Sequence, residues 1–149
     1  KKAYLEALNL YRDLAKQNPS AYNSDVAMTL NNLAALYYKN NQLKEAKKAY
    51  LEALNLYRDL AKQNPSAYNS DLANTLNNLA LLYNNNQFKE AKKAYLESLK
   101  IKRDLAKQNP SAYNASVAST LNNLASSYFK NNQLQEAKEA YFEALNLYR

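Results

Sequence analysis

Apolar residues recur along the chain at the spacing of an amphipathic helix. Within residues 24–39 four apolar side chains fall at i, i+3, i+4 and i+7, on one face of a helix: Leu30, Leu33, Ala34 and Tyr37. Apolar or small residues follow the same period through residues 42–62, from Leu43 to Leu60. The pattern predicts two consecutive helices, which we call helix A and helix B.

Asparagine and proline separate these helices, and the chain contains no glycine. Asn40 and Asn41 are expected to end helix A, because asparagine tolerates the left-handed backbone conformation found at helix C-termini. An Asn-Pro step is expected to end helix B at Asn64, because proline disfavours helical geometry in the residue before it. We expect the following "PSAY" to form a short turn of its own, and Asn or Ser ahead of Asp25 and Asp71 to cap the next helix A.

The same two helices occur three times. The segment "LAKQNPSAYN" is repeated with its proline at positions 19, 65 and 110, which are 46 and then 45 residues apart. The missing residue falls between Tyr83 and Gln87, where three residues replace the four between Tyr37 and Gln42. A deletion inside a helix would rotate everything after it by about 100°, so we expect this position to be a turn.

The predicted order of elements is one helix B followed by three A–B pairs. We therefore expect an all-α fold of seven helices, an α-solenoid of stacked antiparallel pairs, since a two-helix unit cannot bury its own apolar face. We place the repeat boundaries at residues 1–18 (a lone helix B), 19–64, 65–109 and 110–149 (a truncated repeat). The chain begins inside a repeat, which indicates an excised fragment. No signal peptide or membrane-spanning apolar run is visible, which favours the cytoplasm.

The composition excludes several kinds of chemistry. With no cysteine and no histidine among 149 residues, disulfides, thiolate or imidazole metal sites and Cys- or His-based catalysis are ruled out. The carboxylates lie singly on a lysine-rich surface rather than paired in a cleft, so we predict no enzyme activity and no cofactor. The net charge of +7 comes mostly from lysines copied with each repeat. This is typical of a solvated face, and the scarcity of arginine disfavours nucleic-acid binding.

Six positions in each repeat agree in register with the tetratricopeptide repeat (TPR) pattern W-x2-L-G-x2-Y…A-x3-F: Leu30, Leu33, Ala34, Tyr37, Ala46 and Tyr50, then Leu76, Leu79, Ala80, Tyr83, Ala91 and Tyr95, then Leu121, Leu124, Ala125, Tyr128, Ala137 and Tyr141. The chain resembles that family over its whole length, with Leu in place of Trp and Ala in place of Gly. Its period is about twelve residues longer than the usual 34, as in kinesin light chains and many bacterial TPR proteins. The resemblance implies a right-handed superhelix whose A helices line a concave groove for peptides or partner proteins.

One face of helix A combines constant and variable positions. With Leu30 at 0° and about 100° per residue, positions 28, 32, 35 and 39 lie between about 140° and 200°, opposite the packed stripe. Asn32 recurs unchanged in the other repeats, as Asn78 and Asn123, whereas the residues around it differ. The variable positions read Met28, Asn74 and Ser119; Ala35, Leu81 and Ser126; Lys39, Asn85 and Lys130.

This arrangement suits peptide recognition. An asparagine amide offers a donor and an acceptor together, so the constant asparagines can pair with a peptide's C=O and N–H while the variable neighbours read its side chains. The alternative is that they bond to the neighbouring helix A or persist from recent duplication. A second set, at about 100°, is expected to form bonds between repeats: Asn31, Asn77 and Asn122. Tyr38 and Phe129, near 80°, are secondary candidates for the groove, with packing as the alternative.

The sequence therefore predicts a binding module, a scaffold for a protein or peptide partner. Two other functions stay open. The array could be a structural spacer that self-associates through its open ends, or a basic surface for polyanions, whose affinity would depend steeply on salt.

Overall fold

A computed structural model describes residues 1–83 and 86–148, and these residues form seven α-helices. The helices are α1 (Lys2–Gln17), α2 (Pro19–Lys39), α3 (Leu43–Gln63), α4 (Pro65–Tyr83), α5 (Phe88–Gln108), α6 (Pro110–Lys130) and α7 (Leu134–Tyr148). The A helices are α2, α4 and α6, and the other four are B helices. The predicted all-α class and the seven helices are confirmed. No helix in the described ranges combines the length and the apolarity needed to span a membrane.

The helices group into two compact units, Lys1–Asn78 and Leu79–Arg149. In the first unit α2 packs against both α1 and α3. In the second unit α6 packs against both α5 and α7. Each of these A helices therefore lies between two B helices, and its apolar stripe has a partner on either side.

The predicted apolar stripe forms the core of the A helices. Leu30 and Leu33 are each 2% exposed, and Ala34 is fully buried. The same positions of α6 are equally buried, with Leu121 at 2% and Ala125 at 0%. Burying a leucine contributes roughly 1.5–3 kcal/mol, whereas an alanine adds little area. The alanine instead leaves room for a neighbouring helix to approach closely.

The connection from helix B to helix A is tighter than predicted. α2 begins at Pro19 and not near Ser24, so "PSAY" is the first turn of the helix rather than a separate turn. The next two A helices begin in the same way, at Pro65 and Pro110. The expected cap ahead of Asp25 is therefore wrong. Proline suits the first helical position because its fixed φ is helical and an N–H there would lack an intrahelical partner anyway.

At the second and third of these junctions the asparagine before the proline caps the helix instead. Asn64 Oδ1 and Asn109 Oδ1 each accept a hydrogen bond from the backbone N–H three residues later, at 3.3 Å. The same oxygens accept from the hydroxyls of Ser66 and Ser111, at 3.0 and 3.1 Å. Because α3 and α5 end directly before these asparagines, one Asn-Pro-Ser sequence ends helix B and starts helix A.

The turns after α2 and α6 contain the left-handed asparagines that the sequence predicted. Asn41 and Asn132 both have a φ of 61°. In every repeat the glutamine before helix B donates its backbone N–H to the carbonyl of the stripe tyrosine. These bonds run from Gln42 to Tyr37, from Gln87 to Tyr83 and from Gln133 to Tyr128, at 2.8, 2.8 and 2.9 Å. In the repeat with the deletion the glutamine and the tyrosine are one residue closer in sequence, yet the bond is kept. Helix B therefore begins at the same hydrogen bond in all three repeats.

Candidate partner-binding face of the A helices

In the first unit the variable positions of helix A are open to solvent. Met28 is 49% exposed, although its neighbours Ala27 and Thr29 are buried. Three further predicted positions of α2 are exposed: Asn32, Ala35 and Lys39. On α4, Asn74 is exposed and Asn78 is half-buried. The face that the angular count placed opposite the core is therefore accessible on α2.

In the second unit the corresponding face is more polar. Ser119 and Lys130 are exposed on α6, while Asn123 and Ser126 are half-buried. Leu81, near the end of α4, is also half-buried. The remaining predicted position, Asn85, lies outside the described residues. The two units thus share an accessible asparagine and differ in the side chains around it.

The second set of asparagines lies closer to the packed side. Asn31, Asn77 and Asn122 are all half-buried. Asn31 Oδ1 is enclosed and has no hydrogen-bond partner among the described residues. This oxygen therefore does not form the predicted bond between repeats. An angular count places a side chain on a face but does not provide an acceptor or donor opposite it.

The two secondary aromatics differ in their surroundings. Tyr38 is 40% exposed and Phe129 is 61% exposed. Burial raises the pKa of Tyr50 on α3 to about 12, and the nearby Tyr38 hydroxyl adds to this rise in pKa. Tyr38 therefore lies close enough to helix B to affect the pKa of Tyr50, while most of the exposed surface of the two aromatics belongs to Phe129.

Open cavities lie at elbows between helix B and helix A. One of about 450 Å³ and one of about 250 Å³ share six equivalent repeat positions in their walls: Arg12, Ala15, Lys16, Pro19, Asn23 and Val26 in the larger, and Arg58, Ala61, Lys62, Pro65, Asn69 and Leu72 in the smaller. Their recurrence makes them a feature of the repeat. Inspection of single helix faces did not single them out, because their walls combine two helices and the elbow.

Ion pairs between B helices were also missed by the sequence reasoning. Arg12 pairs with Glu52 and Arg103 pairs with Glu143, each with 2.6 Å between Nη2 and Oε2. The partners are 40 residues apart, so no local spacing rule joins them. All four side chains are 41–46% exposed, so each pair contributes at most about 1 kcal/mol.

Comparison with known protein families identifies the family of this chain. A tetratricopeptide repeat model matches residues 25–104, more than half of the chain, and another matches residues 117–149. The chain belongs to the tetratricopeptide repeat family. TPR repeats generally mediate protein–protein interactions, and the resemblance drawn from six positions per repeat is confirmed. No curated protein matches the chain.

Solved TPR structures match nearly the whole chain. BtubC (BKLC) from P. vanneervenii is 26% identical with a TM-score of 0.71, over 99% of this chain and 55% of that one. A putative kinesin light chain of Podosopora anserina with nearly identical TPR-like repeats is 23% identical with a TM-score of 0.62, over 97% of this chain and 66% of that one. The chain thus spans about half to two thirds of these proteins, and the likeness confirms the α-solenoid class.

Proposed function

We propose that the chain is a protein–protein interaction scaffold that binds an extended segment of a partner along the exposed face of its A helices. The observation that carries the proposal is a contrast within one helix face. Asn32 is solvent-exposed and recurs in every repeat, while the exposed positions around it differ between repeats. Duplication alone does not explain this contrast, because the flanking positions have diverged while the asparagine has not.

The chemistry of the face supports a peptide ligand. The amide of Asn32 can donate to a peptide carbonyl and accept from a peptide N–H, and Asn78 repeats that pair of groups in the same unit. Met28 and Ala35 give the first unit an apolar surface beside the amide, and Lys39 adds a positive charge. In the second unit the equivalent positions of α6 carry Ser119, Ser126 and Lys130, so we expect it to prefer more polar partner side chains.

The proposal is tested by selecting binders from a displayed library of random twelve-residue peptides and measuring the Kd of a selected peptide. Asn32→Ala combined with Asn78→Ala removes two hydrogen bonds of about 0.5–1.5 kcal/mol each. We expect the Kd to rise by about 5- to 150-fold. Asn9→Ala is the matched control, because Asn9 is an exposed asparagine on helix B of the same unit, and it should leave the Kd unchanged.

Two results would count against this function. The first is that no peptide is selected by the folded wild-type chain. The second is that the double variant, with an unchanged circular dichroism spectrum, binds the selected peptide as tightly as the control does.

A further inference from the structure

One repeat position, which is buried in α3 and α5, breaks the repeat pattern. Helices α1, α3 and α7 carry tyrosine there (Tyr11, Tyr57 and Tyr148), whereas α5 carries Lys102. Lys102 is only 5% exposed, and its Nζ donates a hydrogen bond to Thr120 Oγ1 on α6 at 2.9 Å. It is the one charged side chain that is buried within residues 1–83 and 86–148.

Helix α6, which follows the helix of Lys102, lacks a carboxylate that α4 provides at the equivalent position. In the first unit Tyr57 lies near Asp71, whose charge, after burial, helps to raise the pKa of Tyr57 to about 12. The residue of α6 that corresponds to Asp71 is Ser116, and α6 contains no aspartate or glutamate at all. The buried amine therefore meets a hydroxyl where the other repeat provides an acid.

Charges on the surrounding helices do not compensate for this loss. The titratable side chains of α6 are Tyr113, Tyr128 and Lys130, so this helix offers no carboxylate to the amine. Beside Lys102 on α5 stand the exposed Lys100, Arg103 and Asp104, and Glu143 of α7 is paired with Arg103. Burial is the cause that lowers the pKa of Lys102, to about 8.

Two further polar substitutions accompany the lysine. Ser98, one turn before Lys102, is fully buried, and the equivalent residue of the other B helices is alanine. Ser127 is 1% exposed, and the equivalent residue of the other A helices is leucine. Ser127 Oγ has no hydrogen-bond partner among the described residues. We define Ser98, Lys102, Thr120 and Ser127 as the α5–α6 seam. In this seam polar side chains replace the alanine and leucine of the equivalent positions, and the charged form of the buried amine is poorly solvated.

We propose that the α5–α6 seam is a pH-sensitive joint, which opens more readily when Lys102 is protonated and closes as the amine loses its proton. Proton linkage gives the direction of the pH dependence. Burial lowers the pKa of Lys102 from 10.5 to about 8 in the folded chain. Between these two pH values the open form binds the proton more tightly than the closed form, so the free energy of opening rises with pH from about 8 to 10.5. Tyr50 and Tyr57 have pKa values raised to about 12 in the folded chain, so their ionisation favours the unfolded chain. This lowers the stability of the fold with rising pH, but only above pH 10.

The natural absence of cysteine permits a direct measurement of opening. Ala118 on α6 and Ala27 on α2 occupy the same repeat position, and both are fully buried. In the separate variants Ala118→Cys and Ala27→Cys, the rate of thiol labelling is measured at pH 7 and pH 9 relative to the unfolded chain. We expect the opening constant at position 118 to fall about tenfold between these pH values, while that at position 27 changes much less.

Two second-site variants connect the effect to the lysine. Adding Lys102→Tyr restores the residue of the other repeats and should abolish the pH dependence at position 118. Adding Ser116→Asp supplies the missing carboxylate, so it should lower the opening constant at pH 7 and weaken the pH dependence with Lys102 still present. If Lys102→Tyr does not fold, Lys102→Met serves the same purpose. The proposal is overturned if position 118 shows no pH dependence, or if that dependence survives replacement of Lys102.

Discussion

Replacing Tyr95 with alanine is expected to destabilise the second unit by about 3–5 kcal/mol. Tyr95 is the largest of the fully buried side chains among the described residues, with 0% exposure. It lies on α5, which packs against α6, and its loss removes the aromatic ring and leaves a cavity that rigid helices fill only partly. Urea unfolding followed by circular dichroism measures the change in free energy.

The repeat supplies its own control for this experiment. Tyr141 occupies the same repeat position on α7, where it is 43% exposed. Tyr141→Ala makes the identical chemical change without creating an enclosed cavity, so we expect a loss below about 1 kcal/mol. Equal losses for the two variants would show that burial at this position does not stabilise the array.

The second large effect is expected from adding volume to helix A. Ala34 is fully buried in α2, between α1 and α3. Ala34→Leu adds three carbon atoms where the helices already approach closely, and such overpacking typically costs about 1–3 kcal/mol. The thermal midpoint should therefore fall, and the urea midpoint should fall with it.

The adjacent residue provides the matched comparison. Ala35 is exposed, and the equivalent position of the next repeat is naturally Leu81. Ala35→Leu adds the same atoms on the solvent side, so we expect stability to change by less than about 0.5 kcal/mol. If Ala34→Leu and Ala35→Leu were tolerated equally, the inference that the helices approach closely at Ala34 would be wrong.

Much of the fold could be predicted because one pattern is repeated three times. The apolar period located the buried stripe at Leu30, Leu33 and Ala34, and the Asn-Pro step located the end of helix B. The deletion before Gln87 falls between α4, which ends at Tyr83, and α5, which begins at Phe88, although residues 84 and 85 of the predicted turn lie outside the described residues. Each of these inferences rests on local geometry, which the sequence encodes directly.

The sequence was less informative where a side chain depends on a partner distant in the chain. "PSAY" looked like a turn because proline usually interrupts helices, yet at the first helical position Pro19 is favourable. Asn31 Oδ1 needs a donor from another element, and helical angles do not reveal whether one is present. Lys102 could have been found by comparing repeats, because it stands alone among three tyrosines. Its consequence depends on Thr120, eighteen residues away.

The proposed binding face is tested most directly by photo-crosslinking to the selected peptide. A photoreactive amino acid is introduced at Met28 on the A face, and in a separate variant at Leu51, an exposed side chain of helix B. We expect crosslinks to the peptide from position 28 and none from position 51. Crosslinks from position 51 without any from position 28 would contradict it.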